Sequence, residues 1–301
     1  MRIAIAGSSG LIGTRLVQSL RSKGHTIVRM VRNKAKPGRQ QIGIFWEPET
    51  NYINPENLED FDAIINLCGE KIASFNPFES PSELIRSSRI STNLLLSRVI
   101  YKLKKPPRYF ITASAYGYYK TSGKDNIFIT EDSEPGRNFL SQLAMEWEEA
   151  SIFYKNDKTK VINLRLGNVL GRDSIFLKTM ANLIKLRIKN IGSGDQSWPW
   201  VGIEDVLGVI EFILESNYLE GAINVVSPEI TTAKKFMKTI SFKKNKKGFI
   251  SLPSFLIRFS TNKLSQHAIL NNYPIKPNVL LSNNYNFKIP TLRDACDKYL
   301  V

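Results

Sequence analysis

Three glycines spaced three apart, Gly7, Gly10 and Gly13, follow the apolar run Arg2-Ile3-Ala4-Ile5-Ala6 directly. This spacing suits a turn against a pyrophosphate. Gly7 permits a tight exit from a strand, Gly10 lets backbone approach the ligand, and Gly13 lets the following helix pack closely on the strand. Ser9, Leu11 and Ile12 lie between them, so that the N–H groups and positive dipole end of a helix starting here face the phosphates. Together these residues predict a dinucleotide site.

The end of the next strand decides which dinucleotide. An acidic residue about 20 positions beyond the glycines would hold an NAD ribose. Here the position carries Arg32, followed by Asn33 and Lys34. A guanidinium forks onto a 2′-phosphate where a carboxylate would repel it, so the sequence favours NADP(H) over NAD(H). The bland alternative is a solvated basic loop, Arg32-Lys34-Lys36. Arg29 interrupts an otherwise apolar strand without an evident partner.

Reacting groups are scarcer. Ser114 ends a strand at the carboxyl edge expected of the sheet, where its hydroxyl could bond a substrate carbonyl or cap the next turn. Tyr118 and Tyr119 follow, each either a proton donor or a packing tyrosine; Tyr118 is the first choice. Trp198 and Trp200, beside Gly192-Ser193-Gly194, could wall a pocket under a closing loop or belong to the core. His25 and His267 have neither metal-like nor triad spacing and read as structural, and no metal site is expected. Cys68 and Cys296 lack CxxC spacing and read as small buried hydrophobes.

The elements that must position these groups alternate. Strands are predicted over 26–32, 62–69, 108–112 and 160–166, with helices over 82–104 and 136–154 between them. Such alternation predicts an α/β, Rossmann-like doubly wound parallel sheet. Beyond Gly171 the pattern loosens into a helix over 175–186, a strand over 198–203, a helix from Glu204, a strand over 222–226 and a last helix over 292–300 capped by Thr291. This divides the chain into a nucleotide-binding domain, 1–170, and a smaller C-terminal substrate lobe, 171–301.

At 301 residues with 42% hydrophobic content, the chain can bury a full α/β core. No apolar run reaches membrane-spanning length, and cysteine usage fits a reducing compartment, so a cytoplasmic protein is expected, with no membrane partner. The net charge of +15 raises the question of nucleic acid. Its main basic run, Lys243-Lys244-Asn245-Lys246-Lys247 between Phe242 and Phe249, reads as a polar loop. Elsewhere Lys and Arg look dispersed, so no specific nucleic-acid binding is expected, and attraction of anionic small ligands is.

In this order the motifs resemble those of extended, atypical short-chain dehydrogenases/reductases of the NAD-dependent epimerase/dehydratase superfamily. They resemble most its "epimerase family protein" branch, which carries a C-terminal domain of unknown function. The matching pieces run from Gly7-Ser8-Ser9-Gly10-Leu11-Ile12-Gly13 through Val31-Arg32-Asn33, Asp62 to Gly69, Ser88-Arg89-Ile90-Ser91-Thr92 and Ser114-Ala115-Tyr116-Gly117-Tyr118-Tyr119. They continue through Trp147-Glu148, Leu164 to Leu170, Gly192 to Gln196 and Asn224-Val225-Val226-Ser227-Pro228. The resemblance implies that Asn66, Leu67, Cys68 and Gly69 pass near the cofactor. It also implies that Ser114 sits beside the nicotinamide and that Gly167 to Val169 lines its carboxamide side, making Gly167 and Val169 cofactor-binding.

The departures bear on chemistry. Such enzymes place a Tyr and a Lys four apart on the helix after the Ser strand, the Lys lowering the Tyr pKa. Here the corresponding turn is Asn138-Phe139-Leu140-Ser141-Gln142-Leu143-Ala144, without the pair, which the branch generally lacks. Lys120 stands where glycine is usual, Gly202 where His is usual before Ile203-Glu204-Asp205, and the glycines usual after Gly171 are absent. Two readings stay open. One is an NADP(H)-dependent oxidoreductase or nucleotide-sugar epimerase-like enzyme for a small, sugar-like or phosphorylated substrate, with a homodimer allowed; the other is a non-catalytic NADP(H) sensor that has lost the acid–base pair.

Overall fold

The computed structural model describes residues 1–32, 43–69, 82–123, 127–260 and 263–300. Asn33, Lys34 and Lys36 therefore lie outside the described residues. In chain order the elements begin β1 (Arg2–Ala6), α1 (Leu11–Ser22), β2 (Thr26–Val31), β3 (Ile44–Glu47), β4 (Tyr52–Ile53), β5 (Ala63–Asn66), α2 (Ser82–Lys102) and β6 (Tyr109–Ala115). Then come α3 (Phe139–Ile152), β7 (Lys160–Leu166), β8 (Asn168–Leu170), α4 (Ile175–Lys185), β9 (Ile188–Ile191), β10 (Trp200–Gly202), α5 (Ile203–Glu215) and β11 (Gly221–Val225). The chain closes with α6 (Ala233–Lys243), β12 (Ile250–Leu252), α7 (Ser254–Ser260), α8 (Lys263–Leu270), α9 (Asn278–Ser282) and α10 (Leu292–Tyr299).

One sheet of eight strands runs in the order β11-β7-β6-β5-β1-β2-β3-β4. Pairing is parallel from β6 through β5, β1 and β2 to β3, and β4 turns back antiparallel on β3. The chain winds outward from β1 through β2 to β3, then returns to the other side of β1 at β5. That reversal makes a crevice outside the carboxyl ends of β1 and β5, the place where open α/β sheets bind ligands. Register aligns the ends: Ala6 pairs with Asn66, and Asn66 with Thr112.

β1 and β5 are apolar because both faces of the sheet are covered. Ala4, Ala6, Ile64 and Phe110 join Leu95, Leu96 and Val99 of α2 in one buried cluster. α3 starts at Phe139 rather than Gly136, because the Asn138 side chain accepts the Ser141 N–H (3.1 Å) and its carbonyl accepts Gln142 N–H (3.0 Å). β2 ends at Val31, which leaves Arg32 just beyond the strand rather than in it.

By packing, the chain forms two compact units, neither continuous in sequence: Met1–Ser114 with Leu143–Leu164 and Ile210–Ala222, and Ala115–Gln142 with Arg165–Val209 and Ile223–Val301. A single cut at residue 170 does not follow this interleaving. The chain re-enters the first unit after residue 170, because the C-terminal half of α5 belongs to it: Ser19 of α1 and Lys23, its C-cap, both bond Glu211 there, at 2.5 and 2.8 Å.

The second unit holds two short parallel pairs, β8 with β10 and β9 with β12. Its core includes Phe176, Trp198 and Phe236, mutually edge-on at 5.5–5.8 Å. α6 is capped by Thr232, and α10 by a reciprocal Thr291/Asp294 box, as its sequence predicts. Buried Asp205 accepts Lys288 N–H (2.7 Å) and Ile289 N–H (2.9 Å), anchoring the stretch before α10. No helix among the described residues is long and apolar enough to cross a membrane.

Candidate functional site

In the first unit, β1 runs into a turn at Gly7, whose φ of +72° lies in the left-handed region that favours glycine. A side chain at Gly7 would lie 2.6 Å from the Leu67 carbonyl, so the turn is pressed against the strand end opposite. Gly13 is tighter still, since a Cβ there would sit 2.2 Å from the Gly7 oxygen. Gly10 is different. It is exposed, with φ −75°, and a Cβ would meet only the Gly7 oxygen, at 3.4 Å. The three glycines therefore divide their labour as the spacing suggests: two permit close packing and one leaves open space.

Gly10 is also the N-cap of α1, with no side-chain cap and no acid in the first turn. Uncapped N–H groups at a helix start attract anions. Ser9 is exposed beside them, while Leu11 and Ile12 are half-buried. Arg32 is exposed just past the carboxyl end of β2, the strand paired parallel with β1, so it stands at the same edge of the sheet as the glycine turn, and its charge tends to lower the Cys68 thiol. Burial outweighs that attraction and pushes the Cys68 thiol up to about 12, so it is neutral and unreactive at physiological pH. The buried Cys296 thiol is likewise pushed to about 12.

Asn66 enters the crevice wall from beneath. It is 1% exposed and donates from Nδ2 to Thr92 Oγ1 (3.1 Å) and Asn93 Oδ1 (2.7 Å), while its Oδ1 accepts the Cys68 N–H (3.1 Å). Asn93 in turn accepts from Thr112 (2.9 Å) and donates to the Trp147 carbonyl (3.0 Å). Every strong donor of the Asn66 amide is thus engaged. Its action on a ligand is to hold Leu67, Cys68 and Gly69 in place. The Arg89 guanidinium lies over Gly69, 3.2 Å from where a Cβ would sit.

Ser114, near the end of β6, is 2% exposed and donates its hydroxyl to Glu148 Oε1 of α3 at 2.6 Å. The proton of Ser114 is therefore committed, leaving its oxygen lone pairs as acceptors. Glu148 is itself buried. Sequence reading passed over its role; the available signal was a carboxylate four residues after Ala144, on the face of the helix that carries buried Ala144, whereas the helix's other glutamates, Glu146 and Glu149, are half-buried and exposed.

In the second unit, Tyr118 is half-exposed and its ring lies 3.5 Å from the Arg165 guanidinium, a close cation–π contact. Tyr119 is fully buried and saturated: Arg165 donates to its oxygen (2.7 Å), and it donates to Asn224 Oδ1 (2.7 Å). Burial pushes its phenol up, as it does that of Tyr116. Gly167 packs 3.1 Å (as a virtual Cβ) from the Pro199–Trp200 backbone, and Val169 pairs with Val201 while staying half-exposed.

The loop after β9 is tied down rather than open. Gly192 and Gly194 have φ of +64° and +84°, and buried Gln196 cross-links them, accepting from Ser193 Oγ (3.0 Å) and Gly194 N (2.9 Å) and donating to the Ile191 carbonyl (2.9 Å). Trp198 and Trp200 are each 1% exposed and donate to the Ile269 carbonyl (2.9 Å) and Thr231 Oγ1 (3.0 Å). Both tryptophans are core, the second of the two readings their sequence allows. The glycine at 202 has a structural reason: a Cβ would lie 2.9 Å from that of Ile289 and 3.1 Å from the Tyr299 hydroxyl, so no larger side chain fits. His25 lies against the N-terminal amine (3.2 Å) and His267 against Asn271 (3.0 Å), both structural contacts.

Comparison with known proteins agrees with this architecture. The family model described as the NAD dependent epimerase/dehydratase family matches residues 3–225. An epimerase family protein of Mycobacterium bovis is 31% identical over 294 residues, covering 97% of this chain and 95% of that protein. Epimerase family protein SDR39U1 of Homo sapiens is 31% identical over 301 residues, covering 98% of each. The crystal structure of human SDR39U1 (isoform 2) with NADPH superposes with a TM-score of 0.85 at 29% identity, over 99% of both chains. With the parallel sheet, the reversal at β1 and β5, and the glycine turn at its mouth, the chain belongs to the NAD dependent epimerase/dehydratase family.

Proposed function

We propose that this protein binds NADP(H) and acts as an oxidoreductase or epimerase-like enzyme on a small, sugar-like or phosphorylated substrate. The observation that carries the reading is the crevice at β1 and β5. There an open Gly10 and an uncapped α1 follow β1, and the cationic Arg32 follows the neighbouring β2, with no carboxylate at the end of that strand. Gly7, Ser9, Gly10, Leu11, Ile12 and Gly13 would hold the pyrophosphate, Arg32 the 2′-phosphate, and Leu67 to Gly69, set by Asn66, the adenosine side. Gly167 and Val169 would line the carboxamide. The human relative's crystal structure with NADPH supports the same choice of cofactor.

When bound, the nicotinamide supplies hydride transfer. The chain's own residues handle protons. Tyr118, half-exposed and braced on Arg165, is the assigned acid; Ser114, its hydroxyl held by Glu148, offers an oxygen that accepts a hydrogen bond from a substrate hydroxyl. Each would supply part of what the absent Tyr/Lys pair supplies.

Calorimetric titration of NADP⁺, NADPH, NAD⁺ and NADH tests the reading. The parent should prefer the 2′-phosphorylated forms by roughly ten- to hundredfold, and Arg32→Ala should erase most of that preference. Equal affinity for NADP(H) and NAD(H) in the parent overturns it. A screen of carbonyl compounds and nucleotide sugars for NADPH oxidation then separates enzyme from sensor: no turnover with tight NADP(H) binding assigns the sensor role.

A further inference from the structure

The +15 charge is not spread over the chain. From Ile230 to Arg293 there are twelve Lys and Arg and no Asp or Glu, so this stretch alone carries most of the excess. It contains α6, β12, α7 and α8, all in the second unit. There the charge coincides with an unusual exposure of large apolar side chains. Phe242 is 85% exposed and Phe249 69%, with Leu186, Ile250, Phe255 and Leu256 also exposed.

Leu186, Phe242, Phe249 and Ile250 lie on adjoining backbone, and Phe255 and Leu256 follow β12 at the start of α7. The N–H groups of Phe249 and Ile250 both donate to the Arg187 carbonyl, at 2.9 and 3.0 Å, and the Arg187 guanidinium donates to the Lys247 carbonyl (3.1 Å). Lys246 N–H donates to the Ser241 carbonyl (3.0 Å), folding the lysine run back beside Phe242. Leu186 thus neighbours Phe249 and Ile250 in space, and exposed Lys185, Lys189, Lys246 and Lys247 surround them. Phe242 also borders a groove of about 670 Å³ between α6 and α10, whose rim carries Lys234, Lys238 and Arg293.

Contiguous exposed apolar side chains on a monomer's surface mark contact with another phase or molecule. Lysines between protruding Phe, Leu and Ile are the chemistry of an anionic bilayer surface, with the apolar tips entering the headgroup boundary and the ammonium groups meeting lipid phosphates. A single strand of nucleic acid would call for aromatic faces to stack on, and half of these six side chains are aliphatic. A second copy would bring like charge against like charge. We propose that the edge formed by β9, β12 and the ends of α6 and α7 docks this protein on membranes containing anionic lipid. The proposal is independent of the cofactor site.

Flotation of the full-length protein with phosphatidylcholine vesicles, with and without phosphatidylserine, tests it. Binding is expected to the phosphatidylserine vesicles, to weaken with added salt, and to be nearly absent on phosphatidylcholine alone. K244Q/K246Q/K247Q should bind about a hundredfold more weakly, at roughly fivefold per lysine. F242S/F249S, unchanged in charge, should also lose flotation. Both variants should keep the parent's circular dichroism and NADPH affinity, which shows them folded. The proposal is overturned by absence of flotation on phosphatidylserine vesicles, or by full flotation of F242S/F249S, which would mean ionic adsorption alone. It also fails if the same variants instead lose binding to a single-stranded RNA oligonucleotide, or if they dissolve a dimer seen by sedimentation equilibrium.

Discussion

Ser114 and Glu148, 34 residues apart in the chain, share a 2.6 Å hydrogen bond in the buried interior of the first unit. A carboxylate taken out of water depends on such donors, and removing one leaves it short of a partner. Ser114→Ala should therefore destabilise the protein by about 1–3 kcal/mol, read by urea unfolding. Glu148→Gln can still accept the bond and should cost less. A double-mutant cycle over the two positions should give a coupling energy of at least about 0.5 kcal/mol; additivity would show that the two groups act independently.

The glycine turn separates stability from binding. Gly13→Ala forces a Cβ to within 2.2 Å of the Gly7 oxygen and should unfold or severely destabilise the first unit. Gly10→Val meets only one atom, at 3.4 Å, on a backbone any residue adopts, and should leave the melting temperature close to the parent's. It should nevertheless abolish dinucleotide binding, because its side chain fills the space left for the pyrophosphate. Retained NADPH affinity in Gly10→Val would move the phosphate site elsewhere.

How far the residues announced this structure depends on how local each signal is. The β1–turn–α1 unit was legible because strand, glycines and helix are consecutive, and its tightest contact, Gly13 on the Gly7 oxygen, lies within the turn itself; the press of Gly7 on Leu67, 60 residues on, was not. The position of Arg32 at the end of β2 was legible for the same reason. The role of Asn66 was not, because its three partners come from Cys68 and from α2, 26 and 27 positions on. That the Gly192 loop is tied down was hidden, because glycine spacing reveals left-handed backbone but not Gln196 beneath it. The interleaved units were hidden for a related reason: packing of α5 on α1 joins residues 192 apart.

Glu131 offers a test by pH. Its Oε1 accepts the N–H groups of Asn224 (3.1 Å) and Val279 (3.2 Å), while buried Oε2 has no hydrogen-bond partner. Burial, the dominant cause, raises its folded pKa above the ordinary 4.5. In the window between 4.5 and that raised value the folded state holds a proton that the unfolded state has lost. Stability from this group is therefore present below about 4.5 and declines as pH rises through the window. Glu131→Gln keeps an acceptor at Oε1 and removes the titration. The difference in unfolding free energy between variant and parent should grow in the variant's favour as pH rises through the window, then level off. A flat difference would show that the carboxyl is not perturbed.

The cross-linked loop predicts its own dynamics. Gln196 bonds Ser193, Gly194 and the Ile191 carbonyl, while Ala233 N–H donates to the Gln196 carbonyl and Lys234 N–H to that of Gly194, both at 2.8 Å. Amide exchange over 190–203 should be slow without ligand and change little when NADPH is added, because the hydrogen bonds that protect it are internal. Gln196→Ala removes four of the bonds that order the turn, those to Ser193, Gly194 and the Ile191 and Ile269 carbonyls, and should raise exchange at Gly194 by at least tenfold. Strong protection that appears only with NADPH would restore the lid and make Gly192 and Gly194 its hinges.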